Sequence, residues 1–423
     1  MSEPILDIND ASLSLWHGAE SGFSSPGYAL LEGKSYRFGE SARAQARLHP
    51  RQINHRYWSQ LDTEPLNPAF GPSRHSADLV HSHLLAIHEE AGRPDSVIIA
   101  APGSLQHDQL ALLLGIIEQC PFNVAGLVDR AIAAAAPAGA ADYNWHVELQ
   151  LNQALLTGMR FESGQLIRDN LVPIPGSGWL ALQESMARAI ADAFIRQTRF
   201  DPRRSAQSEQ NLYDQLPGLL EKLQQSGETN VDIEGRQARV ERSKLAEACD
   251  THYQRIVRTV SAGDARVFLG ATLQGLPGLK EQLPAPLDCS SESICEGIAT
   301  HREAILADAT GVRFITSLTA KAATGATATT PPPAPAPDPV REPVREPVRD
   351  PAPEPVERQA PGRCQIELEG AQASVSALEG PAPTINGQPL AGSQALGDGD
   401  TIQFADGTAW RLVAVESTGN NGA

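Results

Sequence analysis

The sequence predicts an α/β protein followed by a proline-rich linker and a small all-β domain. Three observations predict this organisation. Strand and helix patterns alternate over residues 1–318, which is typical of α/β folds. A tract dense in proline occupies residues 319–361, and short strand patterns with Asn-Gly and Gly-Asp-Gly turns fill residues 362–417. Residues 418–423 form a polar tail.

The first elements follow from local pattern. Residues 5–16 predict two strands joined by a tight turn, and residues 96–104 predict an apolar strand that ends in a Pro-Gly turn. An apolar helix is expected over residues 105–120. Residues 124–129 predict another strand, and residues 130–139 predict a helix of small residues.

The later elements are longer. Residues 145–174 alternate apolar and polar side chains and predict three successive strands with a Ser-Gly turn. Residues 178–200 have the spacing of a long amphipathic helix. Residues 265–283 predict a strand, a glycine turn and a helix.

The linker repeats Arg-Glu-Pro-Val with a period of four, after an Ala/Thr-rich lead-in. Proline at this density excludes helix and central sheet and favours an extended, polyproline-like spacer. The alternative is a ligand for a proline-binding module. Protein partners are expected to bind through the linker and the β domain.

Charge and cysteine content restrict the function class. The formal net charge of −17 argues against binding to nucleic acid and to anionic membranes. No basic and apolar leader begins the chain, and no apolar run approaches the roughly 20 residues of a membrane span. Five scattered cysteines without a C-x-x-C pair fit a reducing cytoplasm. Three histidines on one predicted helix are expected to lie on a solvated face: His81, His83 and His88.

The order of the elements in residues 1–318 resembles the actin and heat-shock-70 ATPase superfamily, and most closely the nucleotide-binding domain of heat-shock-70-like proteins. The stretches "ILDINDASLSLW", "YALLEGKSYRFGESARAQARLHPRQ", "VIIAAPGS", "WHVELQLNQALLT" and "VFLGATLQGLPGL" carry the resemblance. The resemblance implies a two-lobed fold with ATP or ADP and Mg²⁺ in the cleft between the lobes. The heat-shock-70 substrate-binding domain does not follow.

The first phosphate loop of that family reads Asp-x-Gly-Thr. Asp7 matches its acid, which holds magnesium through water in the family. Asn9 replaces the glycine and Asp10 replaces the threonine, so Asp10 would add a negative charge near a polyphosphate. Asn9 tolerates positive φ, which would preserve the turn, and Ser12 offers a hydroxyl.

The second phosphate loop reads Asp-x-Gly-Gly-Gly-Thr in the family. Glu148 matches the acid and is the second expected magnesium ligand through water. Gln150, Leu151 and Asn152 stand where the glycines belong. A backbone cradle for phosphate needs glycine, because side chains collide with the ligand. This loop therefore argues against efficient ATP hydrolysis.

The resemblance also assigns Asp129 to the carboxylate near the attacking water and Arg51 to the phosphate-facing lysine. Adenosine contacts are assigned to Gly270, Ala271, Gln274, Glu221 and Lys222. The simpler alternatives are strand-end caps for Asp7 and Glu148, a solvated helix start for Asp129 and Arg130, and a surface pair for Glu221 and Lys222.

The β domain resembles the end of a forkhead-associated domain. Asn386-Gly387 and the run from Leu396 to Ile402 carry the resemblance. The phosphothreonine-reading residues are not matched, because Gly362-Arg363 lies too early and no histidine follows Cys364. The resemblance therefore favours protein docking over phosphopeptide recognition, and a merely stabilising β module is the alternative.

These observations lead to three hypotheses. The first is a cytoplasmic, bacterial-type, degenerate heat-shock-70-like protein that acts as a nucleotide-sensing or pseudo-ATPase scaffold. The second is a divergent active ATPase with chaperone-like action, whose turnover depends on Asp129. The third is a purely structural subunit of a larger assembly.

Overall fold

A computed structural model of the chain describes residues 3–18, 20–260, 265–284, 286–307 and 311–323, together with eight strands between residues 356 and 411. The chain divides into two compact units, Met1–Thr329 and Thr330–Ala423. The first unit is a mixed α/β structure. Within the described residues, no helix is long and apolar enough to cross a membrane.

The first part of this unit contains ten strands and four helices. In chain order they are β1 (Ile5–Asp7), β2 (Leu13–His17), β3 (Glu20–Ser25), β4 (Ala29–Glu32), β5 (Ser35–Phe38), α1 (Gly39–Arg43), β6 (Ile53–Asn54), β7 (Pro65–Phe70), β8 (Ser73–His75), α2 (Ser76–Glu90), β9 (Ser96–Ala101), α3 (His107–Ile117), β10 (Asn123–Asp129) and α4 (Arg130–Ala135).

The remainder of the unit continues with the same alternation. In chain order it contains β11 (Tyr143–Leu149), β12 (Gln153–Glu162), β13 (Gln165–Pro175), α5 (Trp179–Thr198), α6 (Ala206–Ser226), β14 (Glu228–Ile233), β15 (Arg236–Glu241), α7 (Arg242–Val260), β16 (Arg266–Leu269), α8 (Ala271–Gln274), β17 (Pro286–Asp288), α9 (Ser291–Thr300), α10 (Arg302–Ile305), β18 (Phe314–Ile315) and β19 (Ser317–Thr319).

Two six-stranded sheets share one plan. The first has the order β18-β10-β9-β1-β2-β3 and the second has the order β17-β16-β11-β12-β13-β19. In each, three consecutive strands form an antiparallel meander, and two later strands add in parallel beside its first strand. Asp7 and Glu148 therefore lie near the ends of equivalent strands, β1 and β11.

The two sheets are joined by a shared core around α4 and α9. This buried cluster combines side chains from the first sheet, from the second sheet and from both helices. A Cβ on Gly297 of α9 would lie only 2.0 Å from the carbonyl oxygen of Ala133 in α4. The close crossing explains why four of the six residues of α4 are alanine, since larger ones would force the helices apart.

A short segment after α10 adds an edge strand to both sheets. β18 pairs in parallel with β10, and β19 pairs antiparallel with β13. Between them, the carbonyl oxygen of Thr316 accepts a hydrogen bond from the Arg168 backbone nitrogen at 3.0 Å. We call residues 314–319 the strap, because they tie one sheet to the other.

Most of the predicted elements are confirmed, including the first hairpin, the three strands β11 to β13 and the long helix α5. The helix expected after Gly270 is only four residues long, and Gly275 ends it, with Pro277 and Gly278 soon after. The predicted solvated histidine face is wrong. His83 and His88 are buried, and His83 Nε2 and Nδ1 lie 2.8 Å from Ser25 Oγ and Tyr57 Oη.

The described residues of the second unit form two four-stranded sheets. Their strands are β20 (Val356–Gln359), β21 (Cys364–Glu369), β22 (Gln372–Ala377), β23 (Thr384–Ile385), β24 (Gln388–Pro389), β25 (Ser393–Leu396), β26 (Thr401–Gln403) and β27 (Ala409–Arg411). The Asn386-Gly387 turn, residues 397–400, Gly362-Arg363 and the proline repeats lie outside the described residues.

Candidate functional site

Two carboxylates converge where the equivalent strands of the two sheets end. Asp7 is the last residue of β1 and Glu148 is the penultimate residue of β11. Both are almost fully buried, at 2% and 1% exposure. Such a pair of buried acids needs a counter-charge, because an isolated carboxylate in the protein interior is unfavourable.

Arg130 supplies that counter-charge. Its Nε donates to Asp7 Oδ1 at 2.7 Å and its Nη2 donates to Asp7 Oδ2 at 3.0 Å, which is a bidentate pair. Its Nη1 donates to Glu148 Oε2. Arg130 is the first residue of α4 and is only 7% exposed, so the alternative of a solvated helix start is wrong for this residue. One guanidinium thus joins the two sheets through both acids.

The electrostatics of this triad favour a permanent cation. Burial by itself lowers the pKa of Arg130, but the charges of Asp7 and Glu148 raise it above its usual value. Burial raises the pKa of Glu148, and Arg130 acts in the opposite direction. Burial also lowers the pKa of neighbouring His146 to about 3, so this ring is neutral at pH 7. The guanidinium is therefore the cation that faces the two acids.

Asp129 has no oxygen free to act on water. Its Oδ1 accepts hydrogen bonds from the backbone nitrogens of Ala131 at 2.9 Å and Ile132 at 3.3 Å, which caps α4. Its Oδ2 accepts from Arg168 Nη1 at 2.7 Å. Burial is the largest influence on its pKa, which is raised. Asp129 therefore works as a helix cap and an ion-pair partner.

The first loop is built by hydrogen bonds from its own side chains. Asn9 Oδ1 accepts from the Ala11 nitrogen at 3.0 Å, and the Ser12 nitrogen donates to the Asn9 carbonyl at 2.8 Å. Asn9 is not one of the described non-glycine residues with positive φ, so the turn forms without the left-handed conformation that asparagine tolerates. Ser12 Oγ lies 3.1 Å from Ser24 Oγ within the hairpin.

Asp10 joins the two loops. Its Oδ1 accepts a hydrogen bond of 2.6 Å from the backbone nitrogen of Leu151 in the second loop. Burial raises the pKa of Asp10 to about 7, the hydrogen bond from Leu151 opposes this, and the Glu148 charge adds to it. The extra acid of the first loop therefore bonds across to the second loop.

Side chains fill the second loop. Gln150 Nε2 donates to Ser104 Oγ at 2.9 Å and to Glu148 Oε1 at 3.4 Å, and Leu151 is fully buried. The space between the loops is a cavity of about 40 Å³, lined by Asp10, Ser104 and Gln150 among others. A cavity of this size accommodates a water molecule or two but not a polyphosphate.

The residues assigned to adenosine are divided between the surface and internal contacts. Gln274 Nε2 donates to the carbonyl oxygens of Leu269 at 3.3 Å and Cys289 at 3.0 Å. Gln224 of α6 donates to the Gln274 carbonyl at 2.7 Å, which closes α6 onto α8. Glu221 and Lys222 are exposed on α6. Ala271 is the first residue of α8, and Gly270 precedes it.

Gly270 and Arg51 have local explanations. The Gly270 nitrogen donates to the Val147 carbonyl at 2.8 Å, and a Cβ there would lie 3.2 Å from that oxygen. Arg51 is exposed on a 3-10 turn, Pro50–Gln52. The cation beside the paired acids is Arg130, for which the sequence suggested only a solvated helix start, as an alternative. No local pattern marks it as internal, because the acids with which it pairs lie 123 and 18 residues away along the chain.

The comparisons give no family. No protein-family model matches the sequence, and a search of the curated proteins finds no match either. Function is therefore argued from the geometry of this chain.

The residues present do not fit magnesium with a nucleotide. Both assigned acids are bonded to Arg130, and the glycine cradle is replaced by buried side chains. Among the described residues, no group of three or more His, Cys, Asp or Glu side chains is placed to hold a metal ion. A cation placed between Asp7 and Glu148 would have to displace the guanidinium.

Proposed function

We propose that this chain is a degenerate heat-shock-70-like protein that acts as a pseudo-ATPase scaffold. The observation that carries the proposal is the bridge from Arg130 to Asp7 and Glu148. In the proposed fold, each six-stranded sheet belongs to one lobe, and the repeated strand order supports that division. In the nucleotide-bound site that the resemblance implies, a metal ion and its nucleotide would lie between the two acids. Here the guanidinium lies between them instead.

The scaffold holds its closed conformation without nucleotide. Four connections between the sheets support this: the Arg130 bridge, the Asp10–Leu151 hydrogen bond, the Asp129–Arg168 ion pair and the strap. In this proposal, the proline-rich linker and the β domain recruit the protein partner. The active-ATPase hypothesis is less well supported, because every carboxylate assigned to its chemistry is bonded to an arginine.

Thermal unfolding of the full chain with Mg-ATP or Mg-ADP tests the proposal. A ligand that binds only the folded state, at a hundred times its dissociation constant, adds about 2.7 kcal/mol to the free energy of unfolding. We expect no change in midpoint at millimolar nucleotide, and no phosphate release. A rise of several degrees with Mg-ATP, absent with Mg²⁺ alone, would contradict the proposal, as would turnover that is lost in Asp129→Asn.

A further inference from the structure

A second cavity, of about 480 Å³, includes Asn152 of the second loop in its lining but neither of the paired acids. One wall comes from Tyr28, α1, β6 and the segment between α1 and β6, and the other comes from α5 and α6. Its lining includes Tyr28, Ile53, His55, Arg56, Leu180 and Gln183. The volume is within the range of small-molecule sites. We call it the Gln183 cavity.

Two polar groups in this lining lack protein partners. Gln183 is only 3% exposed, and within the described part of the chain its side-chain amide makes no hydrogen bond. His55 Nδ1 is buried and likewise has no hydrogen-bond partner among the described residues. Buried polar atoms are nearly always hydrogen-bonded, so the exception at His55 Nδ1, beside an unbonded Gln183 amide in the same lining, indicates a ligand.

The charges of the cavity are mostly paired internally. Arg43 Nε lies 2.5 Å from Glu40 Oε2. Arg47 lies 3.6 Å from Glu184 and 3.5 Å from Glu209. These contacts neutralise two of the three arginines that line the cavity.

Arg56 is the third arginine; it is exposed, and it has no carboxylate partner in the described residues. His55 is close to it, and burial lowers the pKa of this histidine, with the charge of Arg56 adding to the effect. The cavity therefore presents one unpaired cation, a neutral imidazole and a neutral amide. Ile53 and Leu180 supply apolar wall.

We propose that the Gln183 cavity binds a small carboxylate that also carries an amide group. The guanidinium of Arg56 matches a carboxylate in geometry and charge. The Gln183 amide can donate to and accept from an amide of the ligand, and His55 offers one further hydrogen bond. A bound ligand touches both walls and so holds the two parts of the unit together. This inference does not depend on whether nucleotide binds between the paired acids.

Calorimetric titration of the full chain tests the proposal with a matched pair of probes. N-acetyl-dialanine carries a carboxylate and amides, whereas its C-terminal amide lacks only the charge. We expect the acid to bind at least about tenfold more tightly than the amide, because the Arg56 ion pair is lost in the latter. Inorganic phosphate is the control for a general anion site, and we expect it to bind more weakly than the acid.

Three variants separate a binding role from a structural one. Arg56→Gln and Gln183→Met should each weaken binding of the acid by about tenfold. Arg51→Gln removes an exposed arginine of the neighbouring turn that does not line this cavity, and should leave affinity unchanged. Gln183→Met should not lower the thermal midpoint, because the amide it removes has no protein partner.

Several results would overturn the proposal. The first is that N-acetyl-dialanine does not bind at millimolar concentration, or binds no more tightly than its C-terminal amide. The second is that phosphate binds as tightly as N-acetyl-dialanine. The third is that Arg56→Gln or Gln183→Met leaves the affinity for N-acetyl-dialanine unchanged.

Discussion

Arg130, Asp7 and Glu148 depend on one another for their charge. The guanidinium is buried with two acids, and its three hydrogen bonds to them take the place of hydrogen bonds to water. Removing one partner of a buried ionic group leaves an uncompensated charge, which costs far more than the loss of a surface pair. The contribution of Arg130 can therefore be isolated by comparison with an exposed arginine.

We expect Arg130→Met to lower the free energy of unfolding by about 3–5 kcal/mol at pH 8, because two like charges then remain buried together. The loss should be smaller at pH 5, where protonation can neutralise one acid. Urea unfolding of the full chain measures both values.

The control for this variant is Arg93→Ala, which removes a pair with Glu89 whose side chains are 67% and 62% exposed. It should lower the free energy of unfolding far less than Arg130→Met does, because water and salt screen an exposed ion pair. Equal losses of unfolding free energy in the two variants would show that the buried Arg130 bridge stabilises the protein no more than an exposed ion pair does.

Asp10 makes the stability depend on pH with a predictable sign. Its pKa is raised from 3.8 to about 7 in the folded protein, chiefly by burial. The folded state therefore holds this proton more tightly than the unfolded state. The resulting stabilisation is fully present below pH 3.8 and is lost as the pH rises through about 7.

Asp10→Asn imitates the protonated acid and keeps an oxygen that accepts from the Leu151 nitrogen. The quantity to compare is the free energy of unfolding of the variant minus that of the native protein. We expect this difference to be larger at pH 8 than at pH 4 by at least about 1.4 kcal/mol, which corresponds to one pKa unit. Urea unfolding at each pH measures this difference. The exposed Asp95→Asn should show no such trend, and a pH-independent difference for Asp10→Asn would contradict the prediction.

The sequence placed the two acids correctly at strand ends, because apolar strands followed by a turn leave a local pattern. It could not place Arg130. The neighbours that bury Arg130 come from β1 and β11, and the contact spans 123 residues to Asp7. Only the packing of α4 between the sheets shows that its first residue is internal.

At the scale of elements, helices α4 and α9 are fixed by a glycine contact. Gly297 lies against the Ala133 carbonyl, whereas Gly218 in α6 has open space where a Cβ would be added. Both are helical glycines, so an alanine improves helix propensity by a similar amount at each position. Any difference between the two substitutions therefore reports on packing.

We expect Gly297→Ala to destabilise the protein by about 1–3 kcal/mol, because the added methyl group forces the helices apart. Gly218→Ala should instead stabilise it by about 0.5–1 kcal/mol. Denaturant midpoints of the two variants decide the matter, and effects of the same sign would show that α4 and α9 separate at little cost.

Elements with a long, regular pattern, such as α5 and the strands β11 to β13, could be predicted from periodicity alone. Short edge strands could not. β18 has two residues and β19 has three, and they become strands only because two sheet edges lie beside them. Tertiary pairing, not local propensity, determines the strap.

At the scale of the molecule, the two sheets of the first unit should unfold together. The strap, the Arg130 bridge and the Asp129–Arg168 pair each join residues from both sheets. These connections predict one cooperative transition, although domains of this size often unfold through intermediates.

Fluorine NMR of the full chain labelled with 5-fluorotryptophan measures this cooperativity. Trp16 lies in the first sheet and Trp145 lies in the second. We expect their native signals to disappear at the same urea concentration in the native protein. In Arg130→Met the two midpoints should separate, and separate midpoints in the native protein would contradict the prediction.

The cation of this site belongs to the polypeptide itself. A dissociable metal leaves when a chelator is added or when the metal concentration falls. The occupancy of such a site therefore depends on the surrounding solution. Arg130 is held at a local concentration set by the chain, which dilution does not change. Chelation and nucleotide depletion leave it in place, so Asp7 and Glu148 stay bridged until the fold itself opens.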